Sequence, residues 1–152
     1  MSNAFDLTVK ALREQGLNSD EILEVLSKLS QNLVDFNNKL DADVVTEAKI
    51  RKILRELCMP VNIKGYNCWV AAIKIYKNGG KGMSMVRDIY PQVAKACRTT
   101  PSKAERVMRT AVEKVFDRCP VDTIDSMFGN NFNIKKRKFT NTEFIVSMAE
   151  LI

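Results

Sequence analysis

The sequence predicts an all-α protein, a domain containing a helix-turn-helix and preceded by a short helical N-terminal arm. Three observations carry that reading. Apolar residues recur three and four positions apart, with no period-2 stretch to mark a strand and no internal repeat. Helix start and stop signals recur along the chain. Helix-breaking residues are few, six Gly and four Pro in 152 residues, a length of about one domain.

Taken in order, Phe5, Leu7, Val9, Ala11 and Leu12 form a short apolar patch that ends near Gly16, a helix stop. Asn18 or Ser19 can cap the next helix, and Asp20 and Glu21 favour its positive end. Ile22, Leu23, Val25, Leu26, Leu29 and Leu33 then follow helical spacing to about Phe36. Asn37, Asn38 and the run Asp41 to Asp43 read as a polar break. Val44, Val45, Ala48, Ile50, Ile53, Leu54 and Leu57 mark a further helix closed by Pro60. Lys64 and Gly65 open a segment with Trp69, Val70, Ile73 and Tyr76 on one face, ending at Asn78-Gly79-Gly80. Met83, Val86, Ile89, Val93, Ala94 and Cys97 outline a helix that Pro91 divides in two.

The strongest start signal is Thr99-Thr100-Pro101-Ser102. Thr100 suits the N-cap, Pro101 the first helical position, and Ser102 with Glu105 offers a secondary S-x-x-E match. Ala104, Val107, Met108, Ala111, Val112 and Val115 line the buried face of this helix, which Cys119-Pro120 ends. Val121 to Phe128 is a short helix stopped by Gly129, Lys135 to Lys138 a basic loop, and Thr140 to Glu143 the cap of a final helix bearing Phe144, Ile145, Met148 and Leu151. Residues 1–43 are expected to form an acidic arm, and residues 44–152 the domain.

Composition excludes several kinds of chemistry. The chain has no histidine, so His-based triads and dyads, imidazole metal ligation and an imidazole pH switch are ruled out. Cys58, Cys68, Cys97 and Cys119 contain no C-x-x-C pair to hold zinc and read as small buried thiols in a reducing, cytoplasmic setting. Gly79 to Ser84 lacks both the spacing and the preceding strand of a phosphate loop. Neither a signal peptide nor an apolar run of about twenty residues is present. No enzyme, cofactor or membrane association is expected.

The formal net charge of +6 is unevenly distributed: Met1 to Ala48 hold four basic and nine acidic residues, Lys49 to Ile152 twenty basic and nine acidic. A basic module of this kind points to a polyanionic partner. Within it, two helices flank a tight turn at Arg98 to Thr100, and the second, about 101–118, opens with polar and charged side chains. A helix-turn-helix reader needs this arrangement, because the recognition helix enters the major groove by its first turns. Ser102, Lys103, Glu105, Arg106, Arg109 and Thr110 are the candidate base contacts. Arg106 or Arg109 can fork onto guanine O6 and N7, Lys103 can reach guanine acceptors, and Glu105 can accept from cytosine N4 or orient an arginine. The competing reading is a solvated face laced by i,i+4 pairs such as Glu105 with Arg109. Trp69, Tyr66, Tyr76 and Phe116 read as core and not as a base-stacking platform.

Five blocks in order resemble the C-terminal DNA-binding domain of the sporulation initiation response regulators, the stage zero sporulation protein A family: Ile63 to Tyr66, Ile89 to Lys95, Thr99 to Arg109, Ile124 to Gly129 and Thr140 to Ile145. The resemblance covers about Val44 to Ile152. It implies a six-helix effector that binds tandem promoter boxes in double-stranded DNA, as a homodimer or as tandem copies, and touches the RNA polymerase sigma subunit. Its recognition positions fall on the six residues named above, with Lys103 replacing an arginine and Thr110 a histidine of the best-known members. Lysine lacks the bidentate fork, so base preference there is expected to shift. DNA phosphates are expected at Lys64, Lys95, Thr99, Thr100, Lys135, Lys136 and Lys138. The sigma-contacting stretch maps to Thr123 to Phe132, represented by Thr123, Phe128 and Phe132, with Asn130 to Phe132 departing from the family pattern.

Upstream the resemblance stops, because residues 1–43 are too few for a phosphoaccepting receiver of on the order of 100 residues. The amphipathic helix from Ser19 to Phe36 is expected to dimerise, to recruit another protein, to fold back on the basic module or simply to stabilise it. The alternative to a DNA reader is an interaction module that modulates a full-length regulator or the polymerase while binding DNA weakly.

Overall fold

A computed structural model of the chain describes residues 3–129 and 138–152. Over these residues there are seven α-helices and one π-helical turn: α1 (Ala4–Glu14), α2 (Ser19–Glu56), α3 (Lys64–Gly79), the π-turn Met85–Ile89, α4 (Tyr90–Ala96), α5 (Pro101–Arg118), α6 (Val121–Phe128) and α7 (Asn141–Leu151). No described residue lies in a strand. No helix among them is long and apolar enough to cross a membrane.

Local chemistry sets most helix starts. Asn18 caps α2 by accepting from the amides of Asp20 and Glu21, each at 3.0 Å, while Glu21 accepts from the Asn18 amide at 2.8 Å. Thr100 caps α5 through the Lys103 amide, and Thr140 with Glu143 forms a full capping box on α7. The secondary S-x-x-E match is not used: Ser102 lies inside α5, and Glu105 bonds Arg109.

Three helices end alike. Gly16, Cys58 and Arg98 follow α1, α2 and α4 with φ of +89°, +57° and +51°. In each case the next amide donates to the carbonyl five residues back: Leu17 to Leu12 at 3.3 Å, Met59 to Leu54 at 3.0 Å and Thr99 to Ala94 at 2.8 Å. These are Schellman ends, and only the first carries the glycine that normally announces one.

Two expectations are corrected. The polar run Asn37 to Asp43 does not break the helix, and α2 continues through it. Asn and Asp cost only tenths of a kcal/mol in a helix, roughly 0.7 at most, and no Gly or Pro is there to force a turn. Val86 does not face the core and is 76% exposed. It lies on the π-turn, where the amides of Ile89 and Tyr90 bond carbonyls five residues back, a wider winding that shifts the side-chain phase ahead of Pro91.

The described chain divides into two units, Met1–Ala42 and Asp43–Ile152. In the first, α1 buries no residue and Ile22 is the only buried position among the described residues of that unit. The second holds a single core to which Ile50 and Leu54 of α2, Leu57 just after it, Trp69 and Ile73 of α3, Met108 and Val115 of α5, Ile124 of α6 and Phe144 and Met148 of α7 contribute. Trp69 organises it: its indole N–H donates to the Met108 carbonyl at 2.9 Å, and its ring meets Phe144 edge-on at 4.6 Å. Burial pushes the Cys68 thiol up to about 12 and that of Cys119 to about 11, so both stay protonated and unreactive. Cys58, expected to be buried, is exposed, because it occupies the left-handed position that ends α2.

Candidate nucleic-acid interface

α4, the turn Cys97 to Thr100 and α5 form the helix-turn-helix. The turn is tight because Arg98 takes the left-handed conformation and returns its amide to Lys95 at 3.4 Å. Pro101 then starts α5, pre-set in φ and lacking the amide hydrogen that a first-turn position leaves unpaired. Asn141 ties both helices to α7. Its amide nitrogen donates to the Tyr90 hydroxyl of α4 at 3.0 Å and to the Glu105 carbonyl of α5 at 3.3 Å. Burial pushes the Tyr90 phenol above its ordinary value, so it remains a neutral hydrogen-bonding post. Sequence reading missed this role for Asn141, which looked like an ordinary residue of a capping sequence.

Of the six candidate base contacts, Ser102, Lys103, Arg106, Arg109 and Thr110 are exposed, and Glu105 is half-buried. Their states differ. Arg109 donates through Nε to the Glu105 carboxylate at 2.9 Å and through Nη2 to the same oxygen. That pair raises the Arg109 guanidinium above its ordinary value and gives Glu105 an orienting part. The Thr110 hydroxyl donates back to the Arg106 carbonyl at 3.0 Å. The Arg106 guanidinium makes no hydrogen bond or ion pair among the described residues and leaves its fork open to a ligand.

Lys64 is placed by a close approach. A Cβ on Gly65 would lie 2.3 Å from the Val107 carbonyl oxygen and 2.7 Å from the Ala111 Cβ, so only glycine lets the start of α3 touch α5. Lys64 consequently shares one recess with Arg106, Thr110 and Lys114 and a second with Arg98 and Thr99. The amino end of α3 has no side-chain cap, which leaves its first amides available to an anion. Lys95 and Thr100 are exposed and Thr99 is half-buried. Lys138 is exposed beside α5, 3.9 Å from Glu113. Lys135, Lys136 and Phe132 lie outside the described residues.

Phe128, one of the expected polymerase contacts, is 5% exposed and packs edge-on against Phe139 at 5.2 Å, so it supports α6 from the core side. Thr123 on the same helix is half-buried.

A basic helix-turn-helix with polar side chains at the head of its second helix defines a DNA-binding regulatory domain. Residues 50–152 match the family described as "Sporulation initiation factor Spo0A C terminal". The chain belongs to that family of DNA-binding effector domains of sporulation response regulators, a regulatory and not an enzymatic family.

Proposed function

We propose that the chain is a sequence-specific, double-stranded DNA-binding transcriptional regulator that lays α5 in the major groove. The observation that carries this is the Arg106 fork, without a partner among the described residues, on the exposed first part of α5 near Lys103 and in one recess with Lys64. Arg106 reads guanine. Arg109, already oriented by Glu105, reads a neighbouring base, and Ser102, Lys103 and Thr110 complete the edge contacts. Lys64, Lys95, Thr99, Thr100 and Lys138 hold phosphates and fix register, together with Lys135 and Lys136 of the basic loop. The family's polymerase contact falls to the solvent side of α6 around Thr123, and the site of action is the cytoplasm.

Selection of bound sequences from a random duplex library tests the reading. Arg106→Ala should lose discrimination at one base pair by roughly 1–3 kcal/mol. Lys64→Ala should weaken all duplexes alike and lower the salt slope by about one. Unchanged base preferences in Arg106→Ala would refute the recognition-helix assignment. A wild-type protein with no preference above competitor DNA would favour the interaction module.

A further inference from the structure

The first part of α2 carries a seam that lies open from Leu29 to Leu40, while Ile22 ahead of it is buried and Leu26 half-buried. Leu26, Leu29, Leu33, Phe36 and Leu40 alternate three and four residues apart, and the last four are 49%, 64%, 59% and 46% exposed. This is the narrow stripe of a coiled coil, not the broader face with which a helix normally meets a globular core. Ile22 holds the preceding seam position, while Asp43 and Glu47 hold the next two and end the stripe.

The flanks say what kind of helix fits. With Leu26, Leu33 and Leu40 at a and Leu29 and Phe36 at d, the adjoining e and g positions are Val25, Ser30, Asn32, Asn37 and Lys39, with no acidic residue among them. The charges sit outside, at b, c and f, where Lys28 bonds Glu24 at 2.6 Å and Asp35 accepts from Gln31 at 3.0 Å. A partner of different sequence is normally selected by opposite charges at e and g. With Lys39 as their one charge, these flanks offer such a partner little and spare a second copy the repulsion of matched like charges.

We propose that this seam pairs with the same seam of a second copy, antiparallel and centred on Gln31. That register sets Leu29 against Leu33 and Leu26 against Phe36 of the second copy, with Leu40 lying over the end of the seam where Ile22 is already buried within its own unit. Every layer is then apolar and Asp43 falls beyond the pairing, whereas a parallel pair extended by one layer would oppose two Asp43 carboxylates.

Sedimentation equilibrium of the full chain without DNA should return twice the chain mass of 17.2 kDa and a shift toward single chains on dilution. Leu33→Lys combined with Phe36→Lys should return the single-chain mass at every concentration, with helical circular dichroism retained. Gln31→Lys, on the outer face, should dimerise like wild type. An Asn32→Cys variant should cross-link to its own counterpart under mild oxidation, above the wild-type background, since g positions adjoin only in the antiparallel pair. A wild-type monomer, or a dimer unmoved by the double lysine variant, would overturn the pairing. A dimer without the Asn32→Cys cross-link would overturn its orientation. Because DNA is absent throughout, failure here leaves the DNA-binding proposal standing, and the reverse also holds.

Discussion

Leu33 and Leu54 occupy equivalent seam positions on one helix, three heptads apart, and differ in everything else. Leu33 is 64% exposed, whereas Leu54 is fully buried with Ile50 and Leu57 in the core of the second unit. Both stretches carry leucine-rich three-and-four spacing, and their charged residues avoid the seam. The difference teaches that periodicity reports which side of a helix is sticky and is silent on what covers it. Cover comes from the core of the second unit for the second stretch and, on our proposal, from another copy for the first.

The comparison breaks most sharply at those two leucines. Leu54→Ala should destabilise the second unit by about 2–5 kcal/mol, the cost of a buried cavity. Leu33→Ala should leave its denaturant midpoint in place under dilute conditions. Equal effects of the two would mean that Leu33 is buried after all.

Next in size is Gly65→Ala. The added carbon meets a backbone carbonyl and not a flexible side-chain end, so overpacking of roughly 1–3 kcal/mol is expected. DNA affinity should fall with it as Lys64 is displaced from α5, and an affinity unchanged in the folded variant would separate Lys64 from the interface.

Helix ends make a smaller contrast. Arg98→Gly should stabilise the second unit by roughly 1 kcal/mol by removing side-chain strain at a left-handed position. Gly16→Ala, whose new carbon would touch nothing, should cost the first unit a similar amount. Hydrogen exchange should locate each effect in its own unit.

The smallest effect is electrostatic. The Lys74 hydrogen bond, followed by that of Arg51, holds the Glu47 carboxyl below its ordinary value. A depressed carboxyl contributes its full stability above the unfolded value and loses it as pH falls through the lowered one. For a pair this exposed the contribution is about 0–1 kcal/mol. Wild type should therefore lose stability between pH 5 and 3, roughly across the carboxylate range, by slightly more than Glu47→Gln does.

Much of the fold was legible because its signals are short-ranged. The caps Asn18, Thr100 and Thr140 act on amides two or three residues away, and Pro101 acts on its own φ, so reading along the chain finds them. The ends at Cys58 and Arg98 escaped because neither residue advertises left-handed backbone. Within the candidate interface, the exposed head of α5 was legible from its polar spacing. The Glu105 to Arg109 pair was foreseen as an alternative. The anchoring of both helices by Asn141 was not, since it spans 51 residues to Tyr90.

By itself, the sequence determined the helices, most of their starts, the polar head of α5, the absence of imidazole chemistry and the separation of an acidic stretch from a basic one. These follow from composition and from interactions within about one helical turn. Only the tertiary structure decided that Phe128 faces inward, that Gly65 brings Lys64 against α5 and that Arg106, among the recognition residues, keeps its guanidinium open. Those outcomes depend on side chains that meet across tens of residues, where spacing along the chain carries no information about what will be adjacent in space.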